Sequence, residues 1–155
     1  MRKLTILALG GAGKNFLNSF EKKFKINILD IEFNLCHLED ESFNKLNLEK
    51  SINHSSEIFV IFGIGNNSKL SFVLADILKN SSIISNFIVL KPFYFEGNDK
   101  LNLFETISKQ LSNKVQNLKI IDCNTISSQF LDENPSIQDM FLNVDKHILE
   151  YILEK

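Results

Sequence analysis

Apolar positions fall into short runs separated by polar breaks that hold most of the glycine. Residues 4–9, Leu-Thr-Ile-Leu-Ala-Leu, are apolar without clean alternation, which predicts a strand buried on both faces. The run stops at Gly10, and Phe16, Leu17 and Phe20 then follow with helical spacing to about Lys22. Residues 26–31 read as a second strand. From Glu32 to Ser56 the pattern is weak, and Phe43, Leu46 and Leu48 mark at most a short helix. Residues 57–62 form the strongest apolar run and end at Gly63. Leu70, Val73, Leu74, Ile77 and Leu78 then repeat as one face of a helix.

Residues 87–90 predict a further strand, closed by Lys91 and Pro92, and Phe104, Ile107 and Leu111 mark the next helix. Residues 118–121 predict a strand ending near Asp122. In the last helix, Asn134 suits the cap and Pro135 the first helical position. Its stripe runs through Ile137, Met140, Phe141, Val144, Ile148, Tyr151 and Ile152. Leu142 and Leu149 widen it, so this helix is expected to need cover on more than one side. The order β-α-β, a weak segment, then β-α-β-α-β-α predicts an α/β fold with a doubly wound, mostly parallel sheet. In such sheets ligands bind beyond the carboxyl ends of the strands.

The 155 residues suit a single domain, 1–155, with one sizeable core. The formal charge of −2, with Arg2 the single arginine among 17 cations, gives no basic field for nucleic acid. No apolar run approaches the ~18–20 residues of a membrane span. Arg2-Lys3 before the first apolar run has a faint signal-peptide look, but the run is too short, and a first strand is the better reading. Cys36 and Cys123 form no C-x-x-C pair, which points to thiols in a reducing compartment and a cytoplasmic location.

Of six glycines, five fall at two strand ends: Gly10, Gly11 and Gly13 after the first strand, Gly63 and Gly65 after the third. Gly10-Gly11-Ala12-Gly13-Lys14-Asn15 has the makings of an anion cradle: bare backbone N–H groups, a following helix N-terminus, and the Lys14 charge. The bland alternative is a tight turn without ligand. In Gly63-Ile64-Gly65-Asn66-Asn67-Ser68, Asn67 or Ser68 can cap the next helix, and ordinary turn chemistry accounts for it equally well.

A P-loop fails twice, because Ala8 replaces its first glycine and Asn15 its Ser/Thr. The dinucleotide fingerprint matches at Gly11 and Gly13, with Asp30 as a ribose contact, but Phe16 fills the third glycine position. Cys36, His37, Glu39 and Asp40 are metal-ligand types without a second cluster, so no metal site is expected. His54 reads as a surface residue and His147 as a helix residue. No catalytic Ser/His/Asp or Cys/His arrangement is legible.

The segment from Leu9 to Asn18 resembles the first nucleotide loop of the tubulin/FtsZ family, G-G-A-G-G-N-x-x-N. Lys91-Pro92-Phe93-Tyr94-Phe95-Glu96-Gly97 resembles that family's K/R-P-F-x-F-E-G segment. Residues 59–65 are similar to the strand feeding its G-G-G-T-G-T-G phosphate loop, residues 74–79 to the helix after it, and residues 139–149 to the start of its central helix. The resemblance implies a GTP- or GDP-binding α/β domain, with magnesium only alongside nucleotide. It implies that Gly10, Gly11, Ala12 and Gly13 lie at the phosphates and that Asn15 and Asn18 are the loop asparagines. It further implies that Asn124 reads guanine or ribose, that Phe141 stacks on the base, and that Asp145 accepts from the guanine edge. Glu96 belongs to the same segment as a structural hydrogen bonder.

The chain departs from that pattern where the second phosphate loop is cut to Gly65-Asn66-Asn67-Ser68-Lys69. The Gly/Ala-rich third loop has no counterpart here. The family's catalytic loop and second domain would follow the central helix, and the sequence ends at Lys155. The expectation is therefore a degenerate nucleotide-binding domain without self-sufficient GTP hydrolysis. Its partners would be FtsZ-type or other division proteins, or a second copy through the last helix. The alternatives are a non-catalytic interaction module that has lost the ligand, and an NAD-type dinucleotide-binding protein.

Overall fold

The computed structural model describes residues 2–22, 24, 30–39, 48–50, 52, 54–65, 68–128 and 136–154. Five strands form one parallel sheet: β1 (Arg2–Leu9), β2 (Ile31–Leu38), β3 (Glu57–Phe62), β4 (Ile84–Lys91) and β5 (Leu118–Asp122). Their spatial order is β2-β1-β3-β4-β5, and every neighbouring pair is parallel. The helices are α1 (Gly10–Lys22), α2 (Leu70–Lys79), α3 (Asn98–Ser112), α4 (Cys123–Ser127) and α5 (Ile137–Glu154), with a 3-10 turn at Tyr94–Glu96.

The unbroken apolar runs are explained by burial on both faces. Leu7, Leu9, Val60, Phe62 and Val89 point to a core layer shared with Leu74 of α2 and Phe104, Ile107 and Leu111 of α3. Their neighbours Ile6, Ala8, Phe59, Ile61 and Ile88 point to the opposite layer, with Phe16 of α1 and Val144, Ile148 and Ile152 of α5. This is the doubly wound arrangement that the alternation of elements predicts.

Two elements differ from expectation. The second strand is Ile31–Leu38, later than residues 26–31, of which 26–29 lie outside the described residues. It is an edge strand in which half-buried Ile31, Phe33 and Leu35 alternate with exposed Glu32 and Asn34. Such alternation leaves no continuous apolar run to find. The second difference is α1, which starts directly at Gly10, so the expected first loop is instead the opening turn of a helix. Leu48 and Ile52 are buried in the core, and Leu48 is helical; Phe43, Leu46, Asn134 and Pro135 lie outside the described residues.

The last helix is largely covered by its own domain. Val144, Ile148 and Ile152 are buried, and Met140, Phe141, Leu149 and Tyr151 pack partly against the same layer. Ile137 is the large apolar residue of α5 left mostly exposed. With Ile137 exposed and Leu142 and Leu153 half-buried, the open apolar face expected on this helix as a docking surface is narrower than the stripe suggests. No helix among the described residues is long and apolar enough to cross a membrane.

Candidate functional site

The sheet order places a switch point between β1 and β3, because β1 leads outward to β2 while β3 leads the other way to β4. Adjacent loops diverge there, and a cavity of about 330 Å³ opens beyond Leu9 and Phe62, the carboxyl ends of the two strands. Gly10, Gly11, Ala12 and Asn15 of α1 form one wall, and Gly63, Ile64, Gly65 and Ser68 form the facing one. Pro92, Glu96 and Lys100 come from the segment after β4, and Leu90, Cys123 and Phe141 complete the lining.

The glycines divide by what surrounds them. A Cβ on Gly13 would fall 2.7 Å from the Ala8 carbonyl carbon, so this glycine lets α1 lie close on β1. A Cβ on Gly63 would fall 2.8 Å from Ala12 Cβ, so it sets the separation of the two walls. At Gly11 and Gly65 a Cβ would meet nothing within 4 Å. Those two line the cavity and leave space where a ligand can approach the backbone. Gly10 has φ +65°, and its carbonyl accepts from His37 Nε2–H at 2.9 Å, which ties the end of β2 to the start of α1. The first turn of α1 holds no acidic residue of its own, so its dipole faces the cavity, where the Glu96 carboxylate is paired with Lys100.

The second wall is partly closed on itself. The Gly65 N–H donates to Ser68 Oγ at 2.8 Å, and that hydroxyl donates to the Gly65 carbonyl at 2.8 Å. One backbone donor that a phosphate would use is thereby taken by buried Ser68.

The segment between β4 and α3 is braced from within. The Phe93 N–H donates to Glu96 Oε2 at 2.8 Å, and Lys100 Nζ donates to Glu96 Oε1 at 3.2 Å. Gly97, at φ +106°, turns the chain into α3 in a conformation that side chains rarely adopt. Asn124 clamps the segment: its Nδ2 donates to the Pro92 carbonyl at 3.0 Å and its Oδ1 accepts the Tyr94 N–H at 2.8 Å. Phe93 stacks on Phe95 with centroids 4.8 Å apart and meets the edge of Phe141 at 5.2 Å.

Asp145 lies behind this lining rather than on it. It is buried, and its Oδ2 accepts from the buried Ser19 hydroxyl at 2.7 Å, joining α5 to α1. Cys123, also buried, has its thiol pushed up to about 12, first by burial and then by the negative charges of Glu96, Asp122 and Asp145. The inner end of the cavity is therefore acidic, and its thiol stays protonated.

The cavity thus brings together Gly10, Gly11, Ala12, Asn15, Gly63, Gly65, Ser68, Glu96 and Phe141. Gly13, Lys14, Asn18, Asn124 and Asp145 do not line it, although the resemblance implied a nucleotide contact for all but Lys14. Gly13 is spent on packing, Lys14 and Asn18 sit on the exposed side of α1, and Asn124 and Asp145 bond within the protein. Asn66 and Asn67 lie outside the described residues. Lys100, Cys123 and His37 were not singled out for this site from the sequence. Lys100 was detectable from its place four residues after Glu96; nothing local marks the other two.

Asp30 precedes β2, where its carbonyl accepts from Arg2 N–H at 2.9 Å. That is the amino-terminal edge of the sheet, opposite the cavity, so the dinucleotide reading loses its ribose contact. Among the described residues no three His, Cys, Asp or Glu side chains are grouped to hold a metal ion, and Asp40 lies outside them.

No protein-family model matches the chain. Solved structures of FtsZ from M. jannaschii do match its fold. An empty FtsZ dimer gives a TM-score of 0.75 at 15% identity, over 98% of this chain and 53% of that one. The FtsZ W319Y mutant gives 0.73 at 16% identity, over 97% of this chain and 55% of that one. The chain spans about half the length of the solved structures it matches. Five parallel strands in this order, with helices on both faces and the likeness over nearly the whole chain, give this protein an FtsZ/tubulin-like fold.

Proposed function

We propose that this domain holds the phosphate groups of a guanine nucleotide, GTP or GDP, in the cavity between β1 and β3. The observation that carries this reading is the pair of backbone positions at Gly11 and Gly65, which line the cavity with open space where a Cβ would stand. The bare N-terminus of α1 beside them supplies positive potential for an anion. Binding is weak, because Ser68 occupies the Gly65 N–H and because Asn124 and Asp145 are bonded within the protein. Hydrolysis is not self-sufficient, because among the described residues the lining carries no activated nucleophile or free carboxylate base: the Cys123 thiol is protonated, and both Glu96 oxygens have partners. Magnesium enters only with the nucleotide. The domain acts in the cytoplasm with FtsZ-type or other division proteins.

Calorimetry of the purified chain with GTP, GDP and NADH tests this. Binding of the guanine nucleotides in the range of about 10 μM to 1 mM supports it. Binding of NADH alone overturns it.

A second reading is favoured by those same internal bonds. A module that keeps the fold and meets partners without nucleotide would have its former ligand groups satisfied internally, as Ser68, Asn124 and Asp145 are. It predicts self-association or partner binding that nucleotide leaves unchanged. A strictly monomeric protein with submicromolar GTP affinity would count against it.

A further inference from the structure

Guanine differs from other bases by a donor edge, N1–H beside N2–H2, which a carboxylate meets with its two oxygens. Three carboxylates lie near Cys123: Glu96 lines the cavity, Asp122 and Asp145 stand behind the lining, and each accepts hydrogen bonds within the protein. Glu96 accepts from Phe93 N–H on one oxygen and from Lys100 on the other. Asp122 Oδ1 accepts from the Asn124 backbone N–H at 2.9 Å and from its side chain at 3.1 Å, and Lys91 Nζ lies 4.0 Å from Oδ2. Asp145 stands one helical turn beyond Phe141, is 5% exposed, and accepts from Ser19 at 2.7 Å. The phosphate end is built differently, with the open approach at Gly11, space beside Gly65 whose N–H is held by Ser68, and the α1 N-terminus.

We infer that Ser19 is a specificity-determining residue: by holding Asp145 against α1, it leaves the cavity without a guanine-reading carboxylate. The site then selects nucleoside polyphosphates by their phosphates and is indifferent to the base. This rests on the nucleotide reading above and widens its ligand class to nucleoside polyphosphates at large, with GTP and GDP two ligands among several.

The test is calorimetry of the full chain with GTP, ITP and ATP. Inosine lacks the N2 amino group and adenine lacks the whole donor edge. Affinities within about threefold of one another are expected, because no hydrogen bond distinguishes the bases. GTP tighter than both others by about tenfold or more, the effect of one or two bonds to a carboxylate, overturns the inference and leaves the nucleotide reading standing. Binding of none of the three overturns both.

Ser19→Ala is expected to raise the GTP-to-ITP preference by about threefold or more, and an unchanged ratio removes Ser19 from the account. Asp145→Asn supplies an independent check with xanthosine triphosphate, whose C2 carbonyl would accept from an amide. No gain in affinity is expected. A gain of about tenfold would show that this side chain reads the base, against the inference.

Discussion

A methyl group on Gly13 would fall 2.7 Å from the carbonyl carbon of Ala8, whereas one on Gly11 would meet no atom within 4 Å. Two neighbouring glycines of one helical turn therefore do different work. Gly13→Ala forces α1 off β1 and is expected to destabilise the fold by about 1–3 kcal/mol. Gly11→Ala is expected to change stability by less than about 1 kcal/mol, on the favourable side. Its cost should appear in phosphate binding instead. Thermal melts of the two variants, with calorimetry of Gly11→Ala, check both; equal melting shifts would contradict the division.

Asn124 is expected to act on the segment after β4 rather than on a ligand. Asn124→Leu removes the acceptor for Tyr94 N–H and the donor for the Pro92 carbonyl, at a cost of about 1–3 kcal/mol. Denaturant titration measures it. If stability is unchanged and only nucleotide affinity falls, Asn124 contacts the ligand.

The Cys123 thiol predicts a pH dependence. Its folded value is about 12 against an ordinary 9.0, raised first by burial and then by Glu96, Asp122 and Asp145. The native state therefore keeps a proton that the unfolded chain loses above 9.0. Its contribution to stability is intact below that pH and declines as pH rises toward 12, by up to about 1.4 kcal/mol per unit. Urea titrations between neutral pH and the alkaline range should show wild type losing stability more steeply than Cys123→Ser. Parallel curves would contradict the assignment.

Along α5, core and surface positions separate. Ile148 is fully buried and Ile137 mostly exposed. Ile148→Ala is expected to cost about 2–5 kcal/mol. Ile137→Ser should stay within about 0.5 kcal/mol. Loss of self-association or partner binding in Ile137→Ser, with the fold intact, would favour the interaction-module reading. Comparable melting shifts in the two variants would contradict the placement of α5.

Legibility in the sequence followed burial. β1, β3 and β4 show as apolar runs because they are covered on both faces, whereas edge strand β2 alternates and gives no such run. The start of α1 was hidden because Gly10, Gly11 and Gly13 carry no helical pattern. Both glycine sites were found from composition, and the cavity does join them. What spacing cannot reveal is competition for a side chain. Asp145 and Asn124 have suitable chemistry for a base, but Ser19 and the backbone of Pro92 and Tyr94 bind them first. His37 reaches Gly10 only because β2 and β1 are neighbours.

In the proposed function, phosphate sits on the backbone of two glycine-bearing strand ends. The most direct measurement is amide proton and nitrogen NMR of the labelled chain during titration with GTP. The account predicts that the largest shifts fall on the amides of Gly10, Gly11 and Ala12 and on those of Gly63 and Gly65, saturating together. Shifts confined to other parts of the fold, or no shifts at millimolar GTP, would contradict it.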